Sequence, residues 1–215
     1  MTATTVRTHA NAQWRGVIEE YRDRLPVSDA TPVISLREGG TPLVRANVLS
    51  ATTGCEVWLK VEGANPTGSF KDRGMTALIT YLKGRGIDHV LEDSSGNAGA
   101  SLAAYSAAAG MKARILVPET ASYPKIAQMA ATGADVVTIK GSRQDVADAA
   151  LRYSTQIFYA SHNWQPFFLE GTKTLAYELW EQMGFAIPDN IVFPVGYGSN
   201  MCGCARGFAE LKRRG

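Results

Sequence analysis

The chain has 215 residues, of which 45% are hydrophobic and 20% are charged, and this length suffices for one large domain or two small ones. Its formal net charge of +2 gives no reason to expect a nucleic acid or an anionic membrane as a partner. The first residues lack the apolar core of a signal peptide, and no run of about 18 apolar residues could span a bilayer, so we expect a cytoplasmic protein.

The amino-terminal part is predicted to hold a helix over 13–24, two short extended pieces within 31–46, and a strand over 56–61. From there on, helices and strands alternate. The predicted helices cover 70–85, 98–109, 124–131, 144–153 and 170–183, the strands cover 89–92, 113–117, 135–139, 157–159 and 190–195, and a last helix starts near Asn200.

This alternation predicts an α/β fold, with right-handed βαβ units and a parallel sheet that is covered by helices on both faces. In such folds, ligands bind at the carboxyl ends of the strands, where the strand-to-helix loops lie. Three of these loops carry residues that suit a chemical function.

The first loop, residues 65–74, places Lys71 in the first turn of a helix that Ser69 can cap. A positive charge there opposes the helix dipole and favours a neutral amine. A neutral amine is what a Schiff base requires. A lysine at a helix start is more often simply solvated.

The second loop contains Ser94, Ser95, Gly96 and Asn97 and opens a helix of small residues. Gly96 permits a sharp turn, and the exposed N–H groups and serine hydroxyls suit a carboxylate. The alternative is an ordinary capped helix with a polar start.

The third loop, residues 194–200, contains Gly196, Gly198 and Ser199 before a helix and is typical of a phosphate cradle. A dinucleotide site needs a third glycine where this chain has Met201, so that interpretation is poor. A plain glycine-rich turn is the alternative. Taken together, the three loops supply an amine, a carboxylate site and a phosphate site, which match a phosphorylated aldehyde cofactor and an amino-acid substrate.

Five motifs in this order resemble those of threonine synthases and related enzymes of fold type II, which use pyridoxal 5'-phosphate (PLP). They are 38–43 (EGGTPL), 68–74 (GSFKDRG), 94–97 (SSGN), 170–174 (EGTKT) and 196–200 (GYGSN). The resemblance runs from Thr31 to the end of the chain at family-like spacing, and it is specific for this superfamily.

The resemblance implies a two-domain architecture like that of the tryptophan synthase β chain, incomplete at the carboxyl end. Residues 1–76 would begin the large PLP domain, 77–165 would form a smaller α/β domain, and 166–215 would return to the large domain. It further implies a small amino-acid substrate and, for the full-length protein, a homodimer. No metal is expected.

The resemblance also implies a role for each matching residue. Lys71 would form the Schiff base with PLP and move protons, Phe70 would lie beside the cofactor, and Asn97 would hydrogen-bond the ring hydroxyl of PLP. The substrate carboxylate would be held by Ser94, Ser95, Gly96 and Asn97. The cofactor phosphate would be bound by Gly196, Tyr197, Gly198, Ser199 and Asn200.

The sequence departs from the family pattern in two places. After residue 200 only one helix follows, where the family has a further segment, so we expect a fragment of a longer protein, or else a truncated relative. Before Glu170 the family has S-x-N-P-x-R-I, whose polar residues help to bind the phosphate of O-phosphohomoserine, but Phe168 stands at the arginine position and cannot bind an anion. His162 or Lys173 could compensate, although a structural role or simple solvation is the commoner one for each.

Three functions remain open at this point. The first is a threonine synthase-like lyase that converts O-phosphohomoserine to threonine and phosphate. The second is another fold type II β-elimination or β-replacement enzyme, such as a serine or threonine dehydratase, which the Phe168 departure favours. The third is a truncated module without catalytic activity.

The three cysteines, Cys55, Cys202 and Cys204, are an odd number without C-x-x-C spacing. A disulfide framework is therefore not expected, and a reducing compartment fits best. Cys202 and Cys204 are interpreted as thiols on a helix rather than metal ligands.

Overall fold

The computed structural model describes residues 13–214, so residues 1–12 of the first predicted domain and residue 215 of the last lie outside the described part. The predicted helix over 13–24 is wrong in length. A four-residue helix, α1 (Val17–Glu20), is followed by a 3-10 turn (Arg22–Arg24). Gly16 has a φ of 101°, and Tyr21 leaves the helical region, so neither residue continues the helix.

Two short strands, β1 (Leu43–Arg45) and β2 (Trp58–Lys60), pair antiparallel, and helix α2 (Asn47–Thr53) connects them. The strand predicted over 56–61 is thus confirmed in a shorter form. Of the two extended pieces predicted within 31–46, only β1 is a strand. The pair forms its own small sheet and does not join the parallel one.

The next part of the chain alternates as the sequence predicts, with boundaries within one or two residues. The elements are α3 (Lys71–Gly84), β3 (His89–Glu92), α4 (Asn97–Ala108), β4 (Lys112–Pro118), α5 (Tyr123–Ala130), β5 (Asp135–Ile139), α6 (Arg143–Tyr153) and β6 (Phe158–Tyr159). The four strands form one parallel sheet in the order β5-β4-β3-β6.

Successive residues of β3 and β4 face opposite sides of this sheet, as the strand period of two requires. Val90 and Ile115 pack in one core cluster with α3, α4 and α5. Leu91 and Leu116 pack in another cluster with α6. The predicted covering of a parallel sheet on both faces is therefore confirmed.

The carboxyl-terminal part contains α7 (Pro166–Thr172), α8 (Thr174–Gln182) and α9 (Ser199–Arg214). The single helix predicted over 170–183 is wrong, because it starts earlier, at Pro166, and is interrupted at Lys173. The hydroxyl of Thr174 donates to the carbonyl of Gly171, at 2.7 Å, which is the local competition with helix bonding that threonine offers. Among residues 13–214, no helix is both long and apolar enough to cross a membrane.

The strand predicted over 190–195 is absent from the described residues. A strand needs a hydrogen-bonded neighbour, and no described strand runs beside this segment. Ile191 and Phe193 pack against a core cluster of α8 and α9, whereas Val192 is 93% exposed.

A buried ion network joins β2 and the turn that follows it to α3 and α8. The side chain of Arg73 is fully buried, and its Nε and Nη1 atoms lie 2.7 Å from Glu62 Oε2 and 2.7 Å from Glu178 Oε2. Lys60 forms a further, very short contact with Glu178. Because Arg73 lies two residues after Lys71, this network fixes the start of α3.

Candidate active site

Lys71 is the first residue of α3 and lies between two aromatic rings. Its Nζ atom is 4.5 Å from the ring centre of Phe70 and 5.6 Å from that of Phe168. Burial lowers the pKa of Lys71, and the carboxylate of Glu92 offsets part of this effect. Burial therefore shifts the amine toward its neutral, nucleophilic form.

The start of α3 is held by Asp72 rather than by the predicted Ser69 cap. The Asp72 carboxylate accepts hydrogen bonds from the backbone N–H of Thr67 at 2.7 Å and from the hydroxyl of Ser101 at 2.6 Å. The hydroxyl of Ser69 lies a long 3.4 Å from the Lys71 nitrogen. Asp72 thus ties the turn before α3, and helix α4, to the residue next to Lys71.

Gly74 lets α7 approach α3 closely. A Cβ atom at Gly74 would lie 2.3 Å from the ring of Phe168. Phe168 itself is fully buried and belongs to the main core cluster. The position that the sequence assigns to a lost anion contact is thus a packing position beside Lys71, and an anion has no access to it.

The glycine loop, residues 194–200, meets Lys71 across a small cavity. Phe70, Lys71 and residues 194–201 line this cavity, which has a volume of about 90 Å³. The predicted amine and the predicted phosphate cradle, with Tyr197 and Gly198 on it, therefore lie together. Gly198 has a φ of 92°, a conformation that favours glycine.

Two side chains at the start of α9 have buried polar atoms that are left without a protein partner. Within the described residues, neither the hydroxyl of Ser199 nor Oδ1 of Asn200 makes a hydrogen bond. Buried polar groups are normally satisfied, and the amino terminus of the 16-residue α9 attracts negative charge. These features, together with the amine of Lys71, fit PLP: residues 196–200 would hold its phosphate and Lys71 its aldehyde carbon.

The serine loop, residues 94–97, lies where β3 gives way to α4 but does not line the same cavity. Within the loop, the N–H of Gly96 donates to the hydroxyl of Ser94 at 3.3 Å. Asn97 is exposed at the start of α4. The bond between Ser101 of α4 and Asp72 of α3 connects this helix to the Lys71 region.

Glu92 was not predicted as a site residue from the sequence, and His162 was predicted only as an alternative anion contact. Glu92 ends β3 and is fully buried. Its carboxylate accepts the backbone N–H of His162 at 3.2 Å and lies 3.3 Å from the ring Nδ1. The signal in the sequence was an acidic residue at the end of an apolar strand. Its partner, His162, is 70 residues further along the chain.

Lys173 has the structural role that was one of its two expected alternatives. It is buried, and its Nζ atom lies 2.6 Å from Glu170 and 3.1 Å from Glu210. These residues line a larger cleft of about 440 Å³ between the start of the described chain, α7 and α9. Arg206 bridges the same two carboxylates, and none of the residues predicted to bind PLP or the substrate carboxylate lines this cleft.

The fold and the Lys71 cavity define the class of protein. The family of pyridoxal-phosphate dependent enzymes matches residues 34–214, and the chain belongs to this family, whose cofactor is PLP.

Among curated proteins, threonine synthases are similar to this chain. That of Methanocaldococcus jannaschii is 42% identical over 91% of this chain and 49% of its own length. That of Mycobacterium tuberculosis is 42% identical over 100% of this chain and 60% of its own. The chain thus spans about half to three fifths of the length of these relatives.

Solved structures confirm the predicted fold type II architecture. A threonine deaminase from Solanum lycopersicum matches with a TM-score of 0.73 and 26% identity, over 91% of this chain and 53% of that one. A PLP-dependent aspartate racemase matches with a TM-score of 0.76 and 28% identity, over 94% and 61%.

Ser199→Ala is expected to weaken PLP binding without lowering stability. Its hydroxyl has no described protein partner to lose, whereas a hydrogen bond to a charged phosphate contributes about 1.5–3 kcal/mol, or roughly ten- to hundredfold in affinity. Titration with PLP and urea unfolding measure the two quantities. Ser106→Ala is the matched control, because its buried hydroxyl also lacks a partner but lies on α4, outside the cavity. An unchanged affinity for Ser199→Ala would remove this residue from the phosphate site.

Proposed function

We propose that the protein is a PLP-dependent lyase that acts on an amino acid, in the manner of threonine synthase, converting O-phosphohomoserine to threonine and phosphate. The observation that carries this proposal is the cavity in which Lys71 faces the glycine loop. The identity of 42% to proteins named threonine synthase supports it.

The proposed roles follow from the positions of the residues. Backbone N–H groups of 196–200 and the side chains of Ser199 and Asn200 would bind the cofactor phosphate at the amino terminus of α9. The amine of Lys71, whose pKa is lowered by burial, would take up and return protons. When bound, PLP supplies the electron sink for carbanion chemistry.

The substrate would bind on the side of the serine loop. Ser94, Ser95 and Gly96 would hold its carboxylate through hydroxyl and N–H groups, and Asn97 would hydrogen-bond both substrate and cofactor. The ring of Phe70, 4.5 Å from the Lys71 nitrogen, would exclude water from that amine and lie against the cofactor.

A second candidate function is β-elimination on a serine- or threonine-like substrate. It is favoured by Phe168, which is apolar and fully buried beside Lys71 and offers a substrate phosphate no partner. The similar structure from Solanum lycopersicum is a threonine deaminase. A module without catalytic activity is the third candidate.

We also propose the domain division that the resemblance implies. The four strands of the parallel sheet all lie within the predicted smaller domain, residues 77–165, which supports that boundary. A homodimer, a cytoplasmic location and the absence of nucleic-acid partners complete the proposal. The last is supported by the net charge of +2.

The test combines a spectrum with product analysis. The purified protein is loaded with PLP and dialysed, and its absorbance is recorded before and after borohydride. O-Phosphohomoserine, serine and threonine are then offered in turn. A visible band that borohydride abolishes, with release of phosphate and threonine, supports the first function. Release of a 2-oxo acid and ammonia from serine or threonine supports the second instead. A folded protein without any such band would overturn both functions and leave the module without catalytic activity as the remaining candidate.

A further inference from the structure

Two buried acidic residues stand in succession: Glu92 is the last residue of β3, and Asp93 follows it. They have different partners. Asp93 lies 2.6 Å from the guanidinium of Arg143, which neutralises it. The hydrogen bonds that the structure shows for Glu92 both come from His162, one from its backbone N–H and one from its ring. None of the roles proposed above for the cofactor site involves Glu92.

The Glu92–His162 contact determines which ring nitrogen carries the proton. An ionised carboxylate can only accept hydrogen bonds, so with Glu92 ionised, Nδ1 of His162, 3.3 Å from Oε1 of Glu92, is the donor. In the neutral imidazole, Nε2 then has no proton and is free to accept one. A carboxylate that holds an imidazole in one tautomer is the arrangement that general acid–base catalysis uses.

His162 and Lys71 both lie against the ring of Phe168. The His162 ring packs edge-on against Phe168 with a centre-to-centre distance of 5.6 Å, and Lys71 Nζ is 5.6 Å from the centre of that same ring. Glu92 ends β3, and His162 lies shortly after β6. The carboxyl ends of these two parallel strands meet where the Ala160 N–H donates to the Leu91 carbonyl. This is the edge of the sheet at which ligands bind.

We propose that His162, held in one tautomer by Glu92, is a second proton-transfer group of the active site beside Lys71. In the reaction, Nε2 accepts a proton from the substrate side, the ring becomes an imidazolium opposite the Glu92 carboxylate, and the same atom returns the proton. The proposal rests on the proposed lyase function. The amino-acid substrate therefore meets two bases, and Lys71 does not have to serve every proton transfer.

The tautomer is tested first, by ¹⁵N NMR of protein labelled at histidine. The chain has three histidines, so His162→Gln assigns the signal of interest. The expected wild-type state is protonated at Nδ1. Glu92→Gln should reverse it, because the amide donates to Nδ1 while its oxygen still accepts the backbone N–H. Asp93→Asn, which alters the adjacent buried acid, should leave it unchanged. A wild-type ring protonated at Nε2, or no change in Glu92→Gln, would overturn the proposal.

The catalytic role is tested by turnover of the PLP-loaded variants. Glu92→Gln and His162→Gln should lower kcat by about a hundredfold or more, while KM and the cofactor band stay near wild type. Asp93→Asn should keep its kcat. A merely structural role would instead weaken the cofactor absorbance band or change KM. A wild-type kcat in both variants would contradict the catalytic role. A folded wild type that binds no PLP would overturn the proposed function and the catalytic role with it, whereas the NMR result depends on the pair alone.

Discussion

Lys71→Ala is expected to remove the visible absorbance band of the PLP-loaded protein and to lower turnover by at least about a thousandfold. The variant loses the amine that anchors the cofactor and the base that moves the substrate proton. Its fold should persist, because the Lys71 side chain makes no ion pair among the described residues and α3 is held by Asp72 and Arg73. Absorbance spectra with and without borohydride, followed by steady-state kinetics, measure the effect.

Two further variants test whether this effect is specific to the amine of Lys71. Lys83→Ala changes a lysine in the last turn of the same helix, far from the cavity, and should keep both band and turnover. Lys71→Arg keeps the positive charge but supplies no nucleophilic amine, so it should behave like Lys71→Ala. If Lys71→Ala kept a borohydride-sensitive band, another lysine would hold the cofactor and the assignment of Lys71 would be wrong.

Local patterns explain which parts of the fold were predictable. The elements from α3 to β6 were predicted to within one or two residues, because each carries its own period and stop signals. The segment 190–195 has the same apolar composition as a strand but no described neighbour to pair with. Pairing is a property of two distant segments, so composition alone cannot supply it.

In the candidate site, too, local patterns were predictable from the sequence and contacts between distant residues were not. Lys71 and the glycine loop were predicted together, because both lie on strand-to-helix or helix-start loops with recognisable chemistry, and the cavity joins them. Glu92 and His162 were not paired in advance, since 70 residues separate them and only the adjacency of β3 and β6 brings them together. From the sequence, Phe168 was interpreted as the loss of an anion contact, whereas in the structure it is a packing residue of the core.

Arg73→Met is expected to lower the free energy of unfolding by about 3–5 kcal/mol, because it removes a buried cation and leaves Glu62 without its partner and Glu178 with Lys60 alone. Methionine fills much of the same volume, so the loss reports charge rather than a cavity. Urea unfolding gives the value. Arg45→Met is the matched control: Arg45 lies 3.8 Å from Glu56, both are more than half exposed, and the change should stay within about 0.5 kcal/mol.

The pH dependence separates charge from packing in that variant. Burial alone would raise the pKa of Glu178, but Arg73 and Lys60 outweigh it and lower the pKa to about 2. The folded value is below the ordinary 4.5, so this carboxylate stabilises the fold above about pH 4.5, and the contribution is lost as the pH falls toward 2. Without Arg73 the pKa of Glu178 should rise, because its main positive neighbour is gone. The difference in unfolding free energy between wild type and Arg73→Met should therefore shrink between pH 4.5 and 2. A difference that stays constant over that range would mean that Arg73 stabilises α3 by packing alone.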